Sequence, residues 1–159
     1  MINLVEADLS QPQQAQALVD LMDEYARHPM GQGKPLDAAI KKQLPQALQA
    51  RTDNFHVLAF DGERPVGLVN CFEGFSTFAC KPLVNIHDVI ITEDYRGQGL
   101  TRKLFAKVEE IARRRGCCKL TLEVLEGNRQ ARQAYQALGF AGYQLDPQMG
   151  QAMFWEKKL

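Results

Sequence analysis

The chain has 159 residues, 45% of them apolar and 24% charged, with 19 Lys and Arg against 19 Asp and Glu. One domain over residues 1–159 with a real core is expected; a collagen, a coiled coil and a disordered tail are excluded, and a net charge of zero argues against a general nucleic-acid binder. No apolar run reaches the roughly 18 residues of a membrane span, and the start Met1-Ile2-Asn3-Leu4-Val5-Glu6 lacks the basic-then-apolar layout of a secretory signal.

Residues 2–6 read as a short strand. Ser10-Gln11-Pro12-Gln13 fits an S-x-x-Q capping box. Ala15, Leu18, Val19, Met22 and Tyr25 then recur at helical spacing and predict an amphipathic helix over 11–27. Residues 28–35 carry two Gly and two Pro and read as a loop. Asp37 is placed to cap a second helix with Ile40, Leu44 and Leu48 on one face, and Pro45 is expected to kink or divide it near Leu44.

From Asn54 the period becomes that of strands. Residues 55–60 return through an Asp61-Gly62 turn into a strand over 65–73. Residues 74–78 break the pattern and lead into a strand over 83–92. Strict alternation puts Asn85, His87, Val89 and Ile91 on one face of it, and Ile86, Asp88 and Ile90 on the other.

Arg96-Gly97-Gln98-Gly99 opens a long helix. Its buried stripe is Leu100, Leu104, Val108 and Ile111; its wet face is Arg102, Lys103, Lys107, Glu110, Arg113 and Arg114. Gly116 ends it. Residues 119–125 read as a strand. Asn128 caps a last helix with Ala131, Ala134, Tyr135 and Leu138 inside, Gly139 stops it, and residues 140–143 and 152–157 close the chain as two more strands. The order β-α-α-β-β-β-α-β-α-β-β makes an α/β fold with a mixed sheet. Pairing is parallel across the two strand–helix–strand runs and antiparallel in the hairpin and between the last two strands. Cys71, Cys80, Cys117 and Cys118 lack C-x-x-C or Cys/His zinc spacing, so reduced thiols, mostly in strands, a cytoplasmic location and no metal are expected.

The segment with chemical content is Val89-Ile90-Ile91 followed by Arg96-Gly97-Gln98-Gly99-Leu100-Thr101. A buried strand runs into a glycine-rich turn that opens a helix. The first helical N–H groups lack intrahelical partners and form an anion site, for which pyrophosphate is the natural ligand. The turn is neither G-x-x-x-x-G-K-[ST] nor G-x-G-x-x-G, which disfavours a P-loop or a dinucleotide site. A glycine-rich βα turn that binds nothing is the alternative.

Arg96-Gly97-Gln98-Gly99-Leu100-Thr101 resembles the R/Q-x-x-G-x-G/A signature of the GNAT family of N-acetyltransferases. Asn128-x-x-Ala131-x-x-x-Tyr135-x-x-x-Gly139-Phe140 is similar to that family's N…A…Y…GF segment, at the expected distance. The resemblance implies acetyl-CoA as co-substrate and an amine acceptor. It implies that Val89, Ile90 and Ile91 offer backbone groups to the pantetheine arm and the thioester carbonyl. Arg96, Gly97, Gln98, Gly99, Leu100 and Thr101 would bind the pyrophosphate, with Arg102 nearby. Asn128 would hold the cofactor, and Tyr135 would sit near the sulfur and protonate the leaving thiolate. Many such proteins pair through edge strands, so a homodimer is expected.

The residue chemistry is consistent with these roles. An amine with a pKa of about 10 is charged at neutral pH and must lose a proton, the thioester oxyanion needs backbone donors, and a tyrosine can protonate a thiolate. Tyr135 also fits a core aromatic at helical spacing. The sequence departs from the family pattern at Thr101, where Gly or Ala is usual, at Glu93, where proline is frequent, and at Asn85, where several relatives carry a glutamate. Asn cannot act as a base, which leaves His87, Asp88, Glu73 or water as candidates; an imidazole titrates near neutrality. Glu73, Phe75 and Ser76 belong to a stretch that shapes an acceptor pocket or is simply a hairpin. The acceptor reads as a small amine, polyamine or amino acid, with a protein lysine or N-terminus as the alternative. A non-catalytic acyl-CoA-binding regulatory module and a nucleotide-binding interaction domain are the readings from other classes.

Overall fold

The structure, a computed structural model, describes residues 1–143 and 146–159. They form two compact units, Met1–Glu123 and Val124–Leu159.

In the first unit the order is β1 (Ile2–Glu6), α1 (Pro12–Arg27), α2 (Ala38–Gln49), β2 (Asn54–Asp61), β3 (Arg64–Ser76), β4 (Lys81–Ile91), α3 (Leu100–Arg114) and β5 (Leu120–Leu122). The strands lie side by side in chain order, β1-β2-β3-β4-β5. The first three pairings are antiparallel; β5 runs parallel to β4, as the crossover through α3 requires. Gly62, at φ 62°, is the first residue of the two-residue β2–β3 loop, one position later than the Asp61-Gly62 reading.

Each face of the sheet buries helical side chains. On one face Leu18 and Leu21 of α1 and Leu48 of α2 join Leu58, Phe60, Leu68 and Ile90. On the other lies α3, whose Leu100, Leu104, Phe105, Val108 and Ile111 are all buried. Gly67 of β3 makes that contact close: a Cβ there would stand 3.1 Å from Leu104 Cδ1 and 3.4 Å from Leu100 Cδ2.

Several local expectations are corrected. Ser10 does not close a capping box. Its N–H and hydroxyl both donate to the Asp8 carboxylate, the stronger nearby acceptor, and Gln11 becomes the N-cap without a side-chain bond. Pro45 does not divide α2, which runs unbroken from Ala38 to Gln49. Residues 74–76 do not break β3: Gly74, Phe75 and Ser76 pair with Leu83, Pro82 and Lys81, so this stretch is the end of a hairpin. Of the four cysteines only Cys71 lies in a strand; all are free thiols, and burial pushes the Cys71 thiol up. The loop after α1 is fastened to its end by Gln32 N–H and Lys34 N–H donating to Ala26 O, so it is a surface connection.

In the second unit α4 (Arg129–Ala137) begins as expected, with the Asn128 side chain accepting from Ala131 N–H at 3.2 Å, and Gly139 turns the chain at φ 94°. Ala131, Ala134, Tyr135 and Leu138 are its half-covered side chains. The strands expected over 140–143 and 152–157 are absent among the described residues. Ala152 N–H donates to Tyr143 O at 3.2 Å.

Candidate active site

The expected alternation along β4 fails at one point, and the failure shapes the site. Asn70 pairs with Asp88 and Cys71 with Ile86, so His87 is an extra residue, a β-bulge. Before the bulge Ile86 shares a face with Cys71. After it Val89 and Ile91 take that face, while Asp88 and Ile90 align with Asn70 and Leu68. Asn85 therefore lies on the Asp88 face, not with Val89 and Ile91. The parallel ladder to β5 stops here too: its pairs are Val84–Leu120, Asn85–Thr121 and Ile86–Leu122. β5 is thus shorter than the expected 119–125, and its ladder ends at the residue before the bulge.

Past the bulge β4 continues without β5. Thr92 N–H donates to Val66 O at 3.1 Å. Counting back by twos, Ile90 and Asp88 turn their backbone groups to β3, and Val89 and Ile91 turn theirs to the opposite edge. Of the three residues expected to offer backbone groups, Val89 and Ile91 are placed to do so. Ile90 is spent on the ladder, and its side chain is 3% exposed in the core.

β4 leads into a single 3-10 turn, Glu93–Tyr95, and then the glycine turn. Gly97 and Gly99 hold φ of 72° and 75°, conformations that L side chains rarely adopt, and a Cβ on either would meet nothing within 4 Å. The backbone is therefore bare on its outer side, where a ligand can approach. Gly99 caps α3 without a side chain, and the first bond of the helix is Lys103 N–H to Gly99 O at 3.3 Å. The N–H groups of Leu100, Thr101 and Arg102 come before it and lack partners within the helix. Arg96 is fixed by its Nε donating to Ile91 O at 3.1 Å, and Gln98 by its Nε2 donating to Asp94 O at 2.6 Å. Farther along α3, Lys107 pairs with Glu110, Arg113 with Glu109 and Arg114 with Glu6. Arg102 and Lys103, at the glycine end, form no ion pair among the described residues, which leaves their charge for a phosphate.

The α1 face of β4 holds a second polar group. Asp88 Oδ2 accepts from Asn70 Nδ2 at 2.9 Å, and Asn70 Oδ1 lies 2.7 Å from His56 Nδ1. Tyr25 of α1 is near enough that the Asp88 carboxylate adds to the effect of burial in pushing the Tyr25 hydroxyl up. Phe72 stands between two imidazoles, its ring 5.3 Å from that of exposed His87 and 6.3 Å from that of buried His56. The structure thus brings together His87 and Asp88, both expected, with Phe72, which opens the stretch read as a pocket or a hairpin, and with Tyr25, His56 and Asn70, none of them assigned a functional role from the sequence.

The remaining candidates lie elsewhere. Glu73 is on the α3 face, bonded to Arg115 Nη1 at 3.3 Å. Phe75, 59% exposed, and Ser76 are at the tip of the β3–β4 hairpin. Asn85 donates through Nδ2 to Thr121 Oγ1 at 3.1 Å and ties β4 to β5.

The model of the acetyltransferase (GNAT) family matches residues 15–140, from within α1 to Phe140 beyond α4. The chain belongs to the GNAT family. Thialysine N-epsilon-acetyltransferase of Caenorhabditis elegans is 28% identical to it over 132 residues, 81% of this chain and 78% of that protein. The Bos taurus protein of the same name is 41% identical over 56 residues, 35% of this chain and 33% of its own length. Among solved structures, AAC(6')-Iy in complex with the bisubstrate analogue CoA-S-monomethyl-acetylneamine has a TM-score of 0.78 at 13% identity, covering 100% of this chain and 99% of that one; at such identity the likeness is one of fold. In this GNAT chain Asn128 and Tyr135 fall in the second unit. The Asn128 side chain is spent on the cap of α4, and the Tyr135 ring lies 6.2 Å from that of Phe140, edge to face.

Proposed function

We propose that this GNAT chain is a single acetyltransferase domain that moves the acetyl group of acetyl-CoA to the primary amine of a small molecule (an amine, polyamine or amino acid) by direct attack in a ternary complex. The carrying observation is the pair of features at the end of β4: a ladder that ends at the His87 bulge, and a bare glycine turn opening α3. The pantetheine arm would bond to the Val89 and Ile91 backbone, and the pyrophosphate to the α3 N-terminus with Arg102 beside it.

The amine nitrogen attacks the thioester carbonyl. The C–N bond forms, the C–S bond breaks, and the backbone donors at the bulge carry the oxyanion charge. The acceptor arrives as an ammonium and loses its proton to Asp88 or His87, directly or through water. Tyr135 supplies a proton to the departing thiolate. The thialysine acceptor in the relatives' name, a lysine-like amine on a flexible arm, supports an acceptor of that kind here. The reading includes a homodimer, which a monomer in light scattering would remove, and no nucleic-acid or membrane partner.

The test is thermal stability with acetyl-CoA, CoA and ATP, followed by thiol release with thialysine, spermidine and free lysine. Stabilisation by acetyl-CoA and not by ATP, with amine-dependent thiol release, is the expected result. The absence of both overturns the reading.

A further inference from the structure

His56 and Asn70 are 2% and 4% exposed, and Asn70 Nδ2 lies 3.2 Å from Met22 Sδ of α1. Buried polar groups of this kind are costly unless bonded. Here the bonds around Asn70 have a readable direction. A carboxylate only accepts, so the Asn70 group facing Asp88 is its NH₂, and Asn70 Oδ1 faces His56. His56 must then donate through Nδ1–H. Its Nε2 lies 3.2 Å from Asn54 Oδ1, an acceptor held in place because Asn54 Nδ2 donates to Leu48 O at 3.0 Å, so both ring nitrogens face amide oxygens. Burial lowers the His56 pKa, against the smaller opposing effects of the Asn70 bond and the Asp88 charge. The groups facing it are Asn54 and Asn70 of the sheet and, through Asn70, Asp88 of β4 with Tyr25 of α1 nearby. The second oxygen of Asp88 accepts no hydrogen bond among the described residues.

We propose that His56 and Asn70 are positioning residues for the acceptor amine: His56 Nδ1–H orients the Asn70 amide, that amide holds Asp88 Oδ2, and Oδ1 is thereby kept for the incoming ammonium. This rests on the reading of Asp88 as part of the acceptor site. It explains why a sheet interior keeps a histidine and an asparagine where two apolar side chains would pack. It also separates the two inner residues from the chemistry, since neither touches a reacting atom.

The first measurement is the ¹⁵N spectrum of the His56 imidazole in the wild-type protein at pH 7.5. The Nδ1–H tautomer is expected; the Nε2–H tautomer overturns the proposal whatever the activity. The second is thiol-release kinetics with thialysine for Asn70→Leu, His56→Leu and His56→Asn, the last keeping an N–H near the Nδ1 position. The two Leu variants should raise the amine KM about tenfold or more and leave the acetyl-CoA KM within twofold, while His56→Asn restores most of the loss. An unchanged amine KM in a folded Asn70→Leu protein that still binds acetyl-CoA overturns the proposal. Wild-type protein that releases no thiol with any amine overturns the functional reading instead, and the role assigned to Asp88 with it.

Discussion

Gly99→Ala separates the two reasons for a glycine at that position. The first is conformational: Gly99 sits at φ 75° and ψ 12°, a left-handed conformation that costs an L side chain about 1–2 kcal/mol. The second is space. The added Cβ meets no protein atom within 4 Å, so within the protein the substitution costs strain alone. If the pyrophosphate lies against this backbone, the methyl also displaces the ligand, and a tenfold loss of affinity, about 1.4 kcal/mol, is expected. Urea unfolding of the free protein measures the first cost. Thermal unfolding with acetyl-CoA at about 100 times the wild-type dissociation constant measures the second: binding adds about 2.7 kcal/mol to the wild type and about 1.4 to a variant with tenfold weaker affinity, so the ligand-induced shift roughly halves. A Gly99→Ala protein that loses stability but keeps the full ligand-induced shift would refute the placement of the pyrophosphate at this turn.

Other perturbations probe separate parts of the argument. Tyr135→Phe should lower kcat tenfold or more and leave the acetyl-CoA dissociation constant within twofold, because only donation to the leaving thiolate is lost; unchanged turnover removes Tyr135 as the acid. The folded pKa of His56 lies below its unfolded value of 6.5, so its contribution to stability is complete above that pH and is lost as the pH falls toward the folded pKa, at up to about 1.4 kcal/mol per unit. Urea midpoints measured between pH 7.5 and 5 should fall less in His56→Asn than in the wild type; equal slopes would show that His56 does not carry the acid limb. Gly67→Val pushes two further methyl groups toward Leu104 and Leu100 and should cost about 1–3 kcal/mol by overpacking, read as a lower urea midpoint; an unchanged midpoint would contradict the β3–α3 contact.

The features legible in the sequence were those with local causes. Gly97, Gly99, Gly116 and Gly139 all take positive φ where turns or helix ends had been placed, and Asn128 caps α4 through the bond its residue type suggests. Periodicity placed the buried stripe of α3 correctly because one face of an isolated helix is enough to define it. The bulge at His87 was not legible, since no residue type announces it and it appears only when β3 and β4 are paired. His56 was hidden in the run Phe55-His56-Val57-Leu58, which reads as an ordinary strand, and Asn70 in Val69-Asn70-Cys71; only their pairing across the β2–β3 ladder makes a network of them. Ser10 failed as a cap for a related reason: Asp8, two residues earlier, offered a charged acceptor that the motif does not consider.

Because strand order follows chain order, each ladder is closed by the segment between consecutive strands. β2–β3 and β3–β4 close through turns of a few residues, whereas β4 and β5 meet only after the whole of α3 has been made, and then over three residue pairs. Closing the longer loop costs more chain entropy, and the short ladder returns little for it. With three residue pairs against five between β1 and β2, the parallel ladder should open first, its amides exchanging with solvent while the antiparallel hairpins stay protected. A brief opening of β5 would widen the same edge of β4 that the acetyl arm is proposed to enter, so the weakest seam of the sheet doubles as its door.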